Sequence, residues 1–380
     1  MILNQFMKVL LCIDSLGPGG AQRQMVLLAL ELKKKGFYVD FFVYHRIDFF
    51  KSVLISNNIN IIYIEKRNRI GLNILFGLRK VLINGKYDFA VSYLQTPNIY
   101  LTIASKLSSA STKIITSERA TTNIGKGILS RVKYWCHLQS YAIVYNSFHE
   151  KNNWTQNFNA LKKNSVTIYN GVDTAYFKPA DENHTRTRKI IGVGTIKPDK
   201  NIHTFIKAIK ILKDSGYTIE VNWYGKFNLS KEEKEYQEKL FELIDGFEIG
   251  DLWKWCEPSK EINKIMIQYD LMVLPSVREG LPNVVCEALA CGLPVIVSNI
   301  LDHPILVKEG VRGYLFEPND PEELSLKIRK FYSLDSPSYN SMKKNCRLFA
   351  EKELNINNFI NKYVSLFNGK KSELIASQSF

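Results

Sequence analysis

The chain has 380 residues, 45% hydrophobic and 23% charged, which gives room for two ordinary globular domains and excludes a disordered or fibrous protein. It holds no apolar run of about 18 residues or more, so no membrane-spanning helix is expected. Its net charge of +14 is uneven: 23 of the 51 basic and 9 of the 37 acidic residues fall in 1–180, leaving 28 of each sign in the other 200. A basic half of this kind attracts an anionic surface or polymer. The six cysteines and six histidines are scattered without metal-ligand spacing. They read as ordinary side chains of a cytoplasmic protein with buried thiols, and no metal or cofactor is expected.

Taken in chain order, the first apolar run, Val9–Ile13, lacks a basic head and reads as a strand rather than a signal peptide. Strand-like runs recur at Val39–Tyr44, Ile59–Ile64, Phe89–Leu94, Lys113–Thr116, Ala142–Tyr145 and Val166–Tyr169. Helical patterns separate them, at Ala21–Lys35, Leu72–Ile83 and Asn98–Lys106. Such βα alternation predicts a mostly parallel sheet with helices on both faces. Two basic segments also carry apolar residues, Lys66–Leu72 and Lys126–Trp135. The second places Leu129, Val132 and Trp135 or Cys136 at helical spacing, either as a packed helix or as one lying on a membrane surface.

A polar, turn-rich stretch from Asn170 to Arg188 has no apolar periodicity and reads as a linker. The alternation then restarts with strands at Lys189–Gly194, Thr218–Tyr224, Leu271–Pro275 and Pro294–Ser298 and helices at Ile202–Lys213, Lys231–Ile244 and Asn283–Cys291. Helices at Pro321–Tyr332, Ser336–Glu353 and Ile356–Phe367 follow, and the tail from Gly369 reads as disordered. The expected organisation is α/β: two doubly wound, Rossmann-like domains, 1–180 and 181–352, and a C-terminal segment 353–380 returning toward the first domain. Ligands of such sheets bind at the carboxyl ends of the strands, here in an expected cleft between the domains.

Three post-strand loops carry chemistry. Leu16–Gln22 offers Gly19 and Gly20 before a helix. Gly192–Asn201 offers glycines and then Thr195, Lys197 and Lys200. The most informative is Leu274–Ser298, a strand–loop–helix–strand unit with carboxylates at Glu279 and Glu287. Pro282 marks the helix start, and the amides of Gly280, Leu281, Asn283 and Val284 sit at the positive end of the helix dipole. An anion site flanked by carboxylates fits a ligand bearing both phosphates and hydroxyls, such as a sugar nucleotide.

This unit resembles the E-x7-E region of retaining glycosyltransferases of family 4, which have the GT-B fold. The resemblance extends through Ser276, Glu279, Gly280, Pro282, Asn283, Glu287, Ala288, Ala290, Gly292, Pro294 and Val295. It implies metal-independent retaining transfer of a sugar from a nucleoside diphosphate donor, a UDP-sugar, to a hydroxyl of a glycan or lipid-linked acceptor. It implies that Glu279 holds the donor sugar, that Glu287 bonds the ribose, and that Lys200 with the amides of 280–284 grips the diphosphate. The nucleotide sugar is a co-substrate, so no cofactor is implied. Where the family has an arginine this chain has Thr195, and Lys197 is the nearest substitute. Gly19 and Gly20 then approach donor and acceptor. Glu118 and Arg119, following the strand Lys113–Thr116, are candidates for catalysis and acceptor binding, or for a structural salt bridge. The base-binding loop is expected near Trp253–Pro258. A GT-B phosphorylase, a nucleotide-sugar epimerase or a non-enzymatic basic protein binding nucleotide or nucleic acid are the alternatives. Nucleic acid is not an expected partner, because no known module appears and aromatics do not interleave with the basic runs.

Overall fold

The computed structural model describes residues 7–121, 124–125, 127–180, 186–227 and 230–378. The chain divides into two compact units, one of residues 1–171 and 357–380 and the other of residues 172–356.

The first unit is built on β1 (Lys8–Cys12), β2 (Tyr38–Val43), β3 (Asn60–Tyr63), β4 (Phe89–Tyr93), β5 (Lys113–Glu118), β6 (Ala142–Tyr145) and β7 (Ser165–Thr167). They form one sheet of order β3-β2-β1-β4-β5-β6-β7, parallel throughout. The central strands are apolar on both faces because helices cover both, so Leu10 and Leu11 are each fully buried although they point to opposite sides. The helix Ile356–Phe367 adds Phe359, Ile360, Tyr363, Leu366 and Phe367 to the core of this sheet. Its apolar residues recur at helical spacing, and each such burial stabilises by about 1.5–3 kcal/mol before entropy. The returning segment is therefore part of this unit's core.

The second unit contains β8 (Lys189–Val193), β9 (Glu220–Tyr224), β10 (Trp253–Cys256), β11 (Leu271–Leu274), β12 (Val295–Ser298) and β13 (Gly313–Phe316). Their order is β10-β9-β8-β11-β12-β13, again all parallel. The helix Ile202–Asp214 shows why the units form: Ile202, Phe205, Ile206, Ile209 and Leu212 share one buried face.

Several expectations need correction. The boundaries fall at 171/172 and 356/357 instead of 180/181 and 352/353, because residues 172–180 pack into the second unit. The Val172 amide donates to the Leu354 carbonyl at 2.7 Å, and Arg347 donates to the Phe177 carbonyl at 2.8 Å. Of the expected linker, residues 181–185 lie outside the described residues, as does Lys126 of the second basic segment. The tail is ordered as far as Gln378: Lys371–Ala376 is helical, and Gln378 bonds both the amide and the carbonyl of Thr167 on edge strand β7. The expected helix Ser336–Glu353 stays α-helical only to Phe349 and continues as a π-turn over Ala350–Leu354. The expected base-binding loop at Trp253–Pro258 is largely strand β10, where Trp253 is buried against Phe205 and Trp223. Short elements such as Lys51–Ser56 and β13 have too little periodicity to signal themselves in the sequence.

Candidate active site

The order of the second sheet reverses between β8 and β11, and ligands of open α/β sheets bind beyond the carboxyl ends of the strands at such a switch. The chain places opposite charges there. Lys200 follows β8, Glu279 follows β11, and the Lys200 Nζ donates to the Glu279 Oε1 in a salt bridge whose side chains are only 14% and 13% exposed.

Local sequence explains the meeting. Pro198 opens a single 3₁₀ turn over Pro198–Lys200, which Asn201 ends in the left-handed region at φ 52°. Asn201 is buried and joins the two loops: its Nδ2 donates to the Pro275 carbonyl at 3.0 Å and its Oδ1 accepts from Thr204 at 2.8 Å. The Val277 amide donates to the Asp199 carbonyl at 2.9 Å, a second tie between the same loops. Gly194 leaves room for the lysine stem, since a Cβ there would lie 3.1 Å from Lys200 Cε.

The helix after Glu279 spans Asn283–Ala290, with Pro282 at its N-cap and no side-chain cap. Its positive end therefore faces the loop 275–282 beside Glu279. It stops because Gly292 takes φ 66°, and the Gly292 and Leu293 amides return to the Leu289 and Ala288 carbonyls. Glu287 lies within this helix and is 3% exposed, so both carboxylates of the motif turn inward.

The remaining donor candidates stand apart from this pair in their contacts. Thr195 sits in the loop after β8. Lys197 points its ammonium to Asp199 at 3.4 Å and is 38% exposed, so in this structure it does not stand in for the missing arginine. In the first unit, Gly19 and Gly20 are exposed at the start of the helix Gly20–Lys34, which has no side-chain cap.

Glu118 and Arg119 are both buried in the first unit. Glu118 is 4% exposed, with Oε1 at 3.3 Å from both His137 Nε2 and Asn98 Nδ2. Burial alone raises its pKa, but His137, Lys133 and Asn98 outweigh burial and hold it below the usual carboxylate range. Lys133, in the second basic segment, is itself buried. Arg119 stacks 3.6 Å over the Tyr93 ring and donates at 2.8 Å to Asn170 Oδ1 and to Tyr363 Oη, which leaves its guanidinium inside the unit. Glu118, the last residue of β5, and Arg119, which follows it, both find their partners within the first unit.

Sequence reasoning missed Asn201 and His303. His303 begins the short helix His303–Val307 after β12, is fully buried, and feels the charges of Glu279 and Lys200. A lone histidine far along the chain from both residues carries no spacing signal, so only the fold reveals its place.

The profile of Glycosyltransferase Family 4 matches residues 18–176, and that of Glycosyl transferases group 1 matches residues 176–349. A putative colanic acid biosynthesis glycosyltransferase of Escherichia coli strain K12 is 27% identical over 194 residues, 49% of this chain and 46% of the relative. An Escherichia coli UDP-Gal:alpha-D-GlcNAc-diphosphoundecaprenol alpha-1,3-galactosyltransferase is 31% identical over 217 residues, 53% of each. The chain thus spans about half the length of the curated relatives it matches. Among solved structures, Anabaena HepE in complex with UDP superposes with TM-score 0.82 at 18% identity, over 96% of this chain and 100% of that one. A glycosyltransferase from Rickettsia africae gives TM-score 0.84 at 18% identity, over 98% and 99%. At such identity these likenesses bear on the fold. Between them the two profiles cover residues 18–349, and the chain belongs to the group 1, family 4 glycosyltransferases of GT-B fold.

Proposed function

We propose that this protein is a retaining, metal-independent glycosyltransferase that moves a sugar from a UDP-sugar to a hydroxyl of a glycan or lipid-linked acceptor in cell-surface polysaccharide synthesis. The observation that carries this reading is the Lys200–Glu279 pair at the sheet's switch point, beside a helix N-terminus whose N-cap, Pro282, supplies no side-chain cap. A cation and a carboxylate at one point match a donor with a diphosphate at one end and sugar hydroxyls at the other. Lys200, Thr195 and the amides of Gly280, Leu281, Asn283 and Val284 stabilise the departing diphosphate. Glu279 accepts bonds from the sugar hydroxyls and braces positive charge at the anomeric carbon. Glu287 bonds the ribose, and Gly19 and Gly20 approach the donor and acceptor. The acceptor oxygen bonds to the anomeric carbon from the face that the diphosphate leaves, and the hydroxyl proton passes to the leaving phosphate oxygen. The names of the two relatives support the polysaccharide setting, and the UDP in the Anabaena structure supports the base.

The acceptor's lipid, in this reading, brings the protein to the inner membrane face. No described helix is long and apolar enough to cross a membrane. The first unit does expose apolar side chains among basic ones: Ile70, Leu72 and Phe76 near Arg67 and Arg69, and Ile128, Leu129 and Trp135 near Arg131. Such surfaces bind anionic headgroups at low salt.

Incubation of the pure protein with UDP- and GDP-sugars, following release of the nucleoside diphosphate, tests the chemistry. Consumption of a UDP-sugar is expected. Turnover that needs inorganic phosphate and no nucleotide would replace this reading with a phosphorylase. Sedimentation with phosphatidylglycerol vesicles tests the surface: binding is expected at low ionic strength and release at about 1 M salt, where the Debye length is roughly 3 Å. Absence of binding at low salt would remove the membrane from the proposal.

A further inference from the structure

A cavity of about 460 Å³ opens at the amino end of β5, within the first unit. That volume falls inside the roughly 300–1,000 Å³ of small-molecule sites. Its wall is the last turn of the helix Gln95–Ser108, the turn 109–112, Lys113 at the start of β5, and residues 139–141, where the helix Ile128–Gln139 ends. No carboxylate lines it, whereas Lys106 and Lys113 do. Lys113 Nζ stands 5.1 Å over the ring of Tyr141, which also lines the cavity. Lys371 Nζ stands 4.7 Å over the same ring and donates to the Tyr141 carbonyl at 2.9 Å. Among the described residues none of these three lysines has a carboxylate within ion-pair distance. Burial pushes the Lys371 pKa below the usual lysine range, Lys163 lowers it further, and no carboxylate opposes the shift. The two helix ends present about half a negative charge each, which three ammonium groups outweigh, so the field at the cavity is positive. Hydroxyls and an amide make up most of the remaining lining. Ser105, Ser109, Ser111 and Gln139 have side chains without a hydrogen bond among the described residues. Thr112 is 7% exposed, and its Oγ1 is buried with no hydrogen-bond partner. Buried polar atoms are normally satisfied, and an exception inside a polar cavity marks a functional place.

We propose that this cavity is a second ligand site, for an oxyanion carried on a polyhydroxyl ring: the phosphate of a sugar phosphate or the carboxylate of an acidic sugar unit in a glycan. Lys106 and Lys113 bind the oxyanion. Ser105, Ser109, Ser111 and Gln139 exchange hydrogen bonds with the ring hydroxyls, and Thr112 gains the partner it lacks. Charge and hydroxyls decide the class together: a basic patch alone would take any anion, and a hydroxyl-lined cleft alone would take any sugar. The site is remote from the strand ends already described. β5 is six residues long, so Glu118 at its other end lies about 16 Å away. The sheet is parallel throughout, so Gly19 and Gly20, beyond β1, also stand at that opposite end. The first unit therefore holds this ligand without bringing it into the reaction, and the site neither needs nor supports the donor reading above.

Titration of the full chain with glucose 1-phosphate, glucuronate, glucose and inorganic phosphate, followed by saturation-transfer NMR and calorimetry with and without UDP, tests the site. Glucose 1-phosphate or glucuronate is expected to bind with a Kd on the order of 1 mM, at least about fivefold tighter than glucose or inorganic phosphate. UDP should leave that binding unchanged, and the tighter of the two anions identifies phosphate or carboxylate as the group recognised. Lys106→Ala is expected to weaken binding about five- to tenfold and Thr112→Val about threefold. Lys80→Ala, at an exposed lysine of another helix, should have no effect. Lys106 is exposed and Thr112→Val removes an unsatisfied hydroxyl, so both variants are expected to fold, which their unfolding midpoints check. Sugar anions that bind no tighter than inorganic phosphate, displacement by UDP, or equal affinity in Lys106→Ala and wild type overturns the proposal. So does the absence of saturable binding below about 50 mM. UDP affinity, measured separately, tests the donor reading, so failure of one leaves the other standing.

Discussion

Two carboxylates at the carboxyl ends of parallel strands, Glu118 as the last residue of β5 and Glu279 in the loop beyond β11, look alike in sequence and differ in surroundings. Glu118 is enclosed by His137, Asn98 and Lys133, and its loop neighbour Arg119 is fixed by Tyr93, Asn170 and Tyr363. Glu279 meets Lys200 at the sheet's switch point, in a place solvent still reaches. A carboxylate saturated by its own unit stabilises that unit, and one facing an accessible cation can exchange that partner for a ligand. Position after a strand is therefore insufficient to name an active residue. What lies within 4 Å of it decides.

The contrast can be broken most forcefully at Glu118. Glu118→Ala leaves Lys133 buried without the carboxylate beside it and removes the partner of Asn98 and His137, and is expected to cost about 3–5 kcal/mol of stability by denaturant unfolding. The folded fraction should still bind UDP with unchanged affinity, and a selective loss of binding would return Glu118 to the site. The pH dependence follows the sign of its shift. Because the folded-state pKa is lowered from 4.5, the contribution is fully present above that value and disappears as pH falls through the folded pKa. Glu118→Gln should therefore flatten the loss of stability on acidification below about pH 4.5.

Glu279→Ala should do the reverse, lowering sugar transfer about 10²- to 10³-fold while leaving the unfolding midpoint nearly where it was. Turnover within a few-fold of wild type would separate the carboxylate from the chemistry. A smaller gain is expected from Thr195→Arg, which returns a second cation to the diphosphate end. About a five- to tenfold tightening for UDP corresponds to roughly 1–1.4 kcal/mol, and unchanged affinity would show that position 195 is remote from the phosphates. The smallest effect belongs to Lys197→Ala. Its ammonium pairs with Asp199 at a partly exposed site, so a change under about 0.5 kcal/mol in either stability or UDP binding is expected.

Much of this molecule is written along the chain. Repeated apolar runs of four to six residues between amphipathic helices determine two parallel sheets, because each strand must be apolar on both faces and each helix on one. The string from Ser276 to Val295 marks the donor loop by local chemistry alone: a helix start at Pro282, a left-handed stop at Gly292, and two glutamates between strand ends. Contacts between residues distant in sequence were decided only in three dimensions. Lys200 and Glu279 are 79 residues apart, and nothing along the chain hints that Asn201 ties their loops together. The bonding of Gln378 to Thr167, the inward turn of Glu118, Arg119 and Lys133, and the burial of His303 are of the same kind. Periodicity reports which face of an element is buried, and it is silent on what that face will meet. For a charged or polar side chain, the partner determines whether it is scaffold or site.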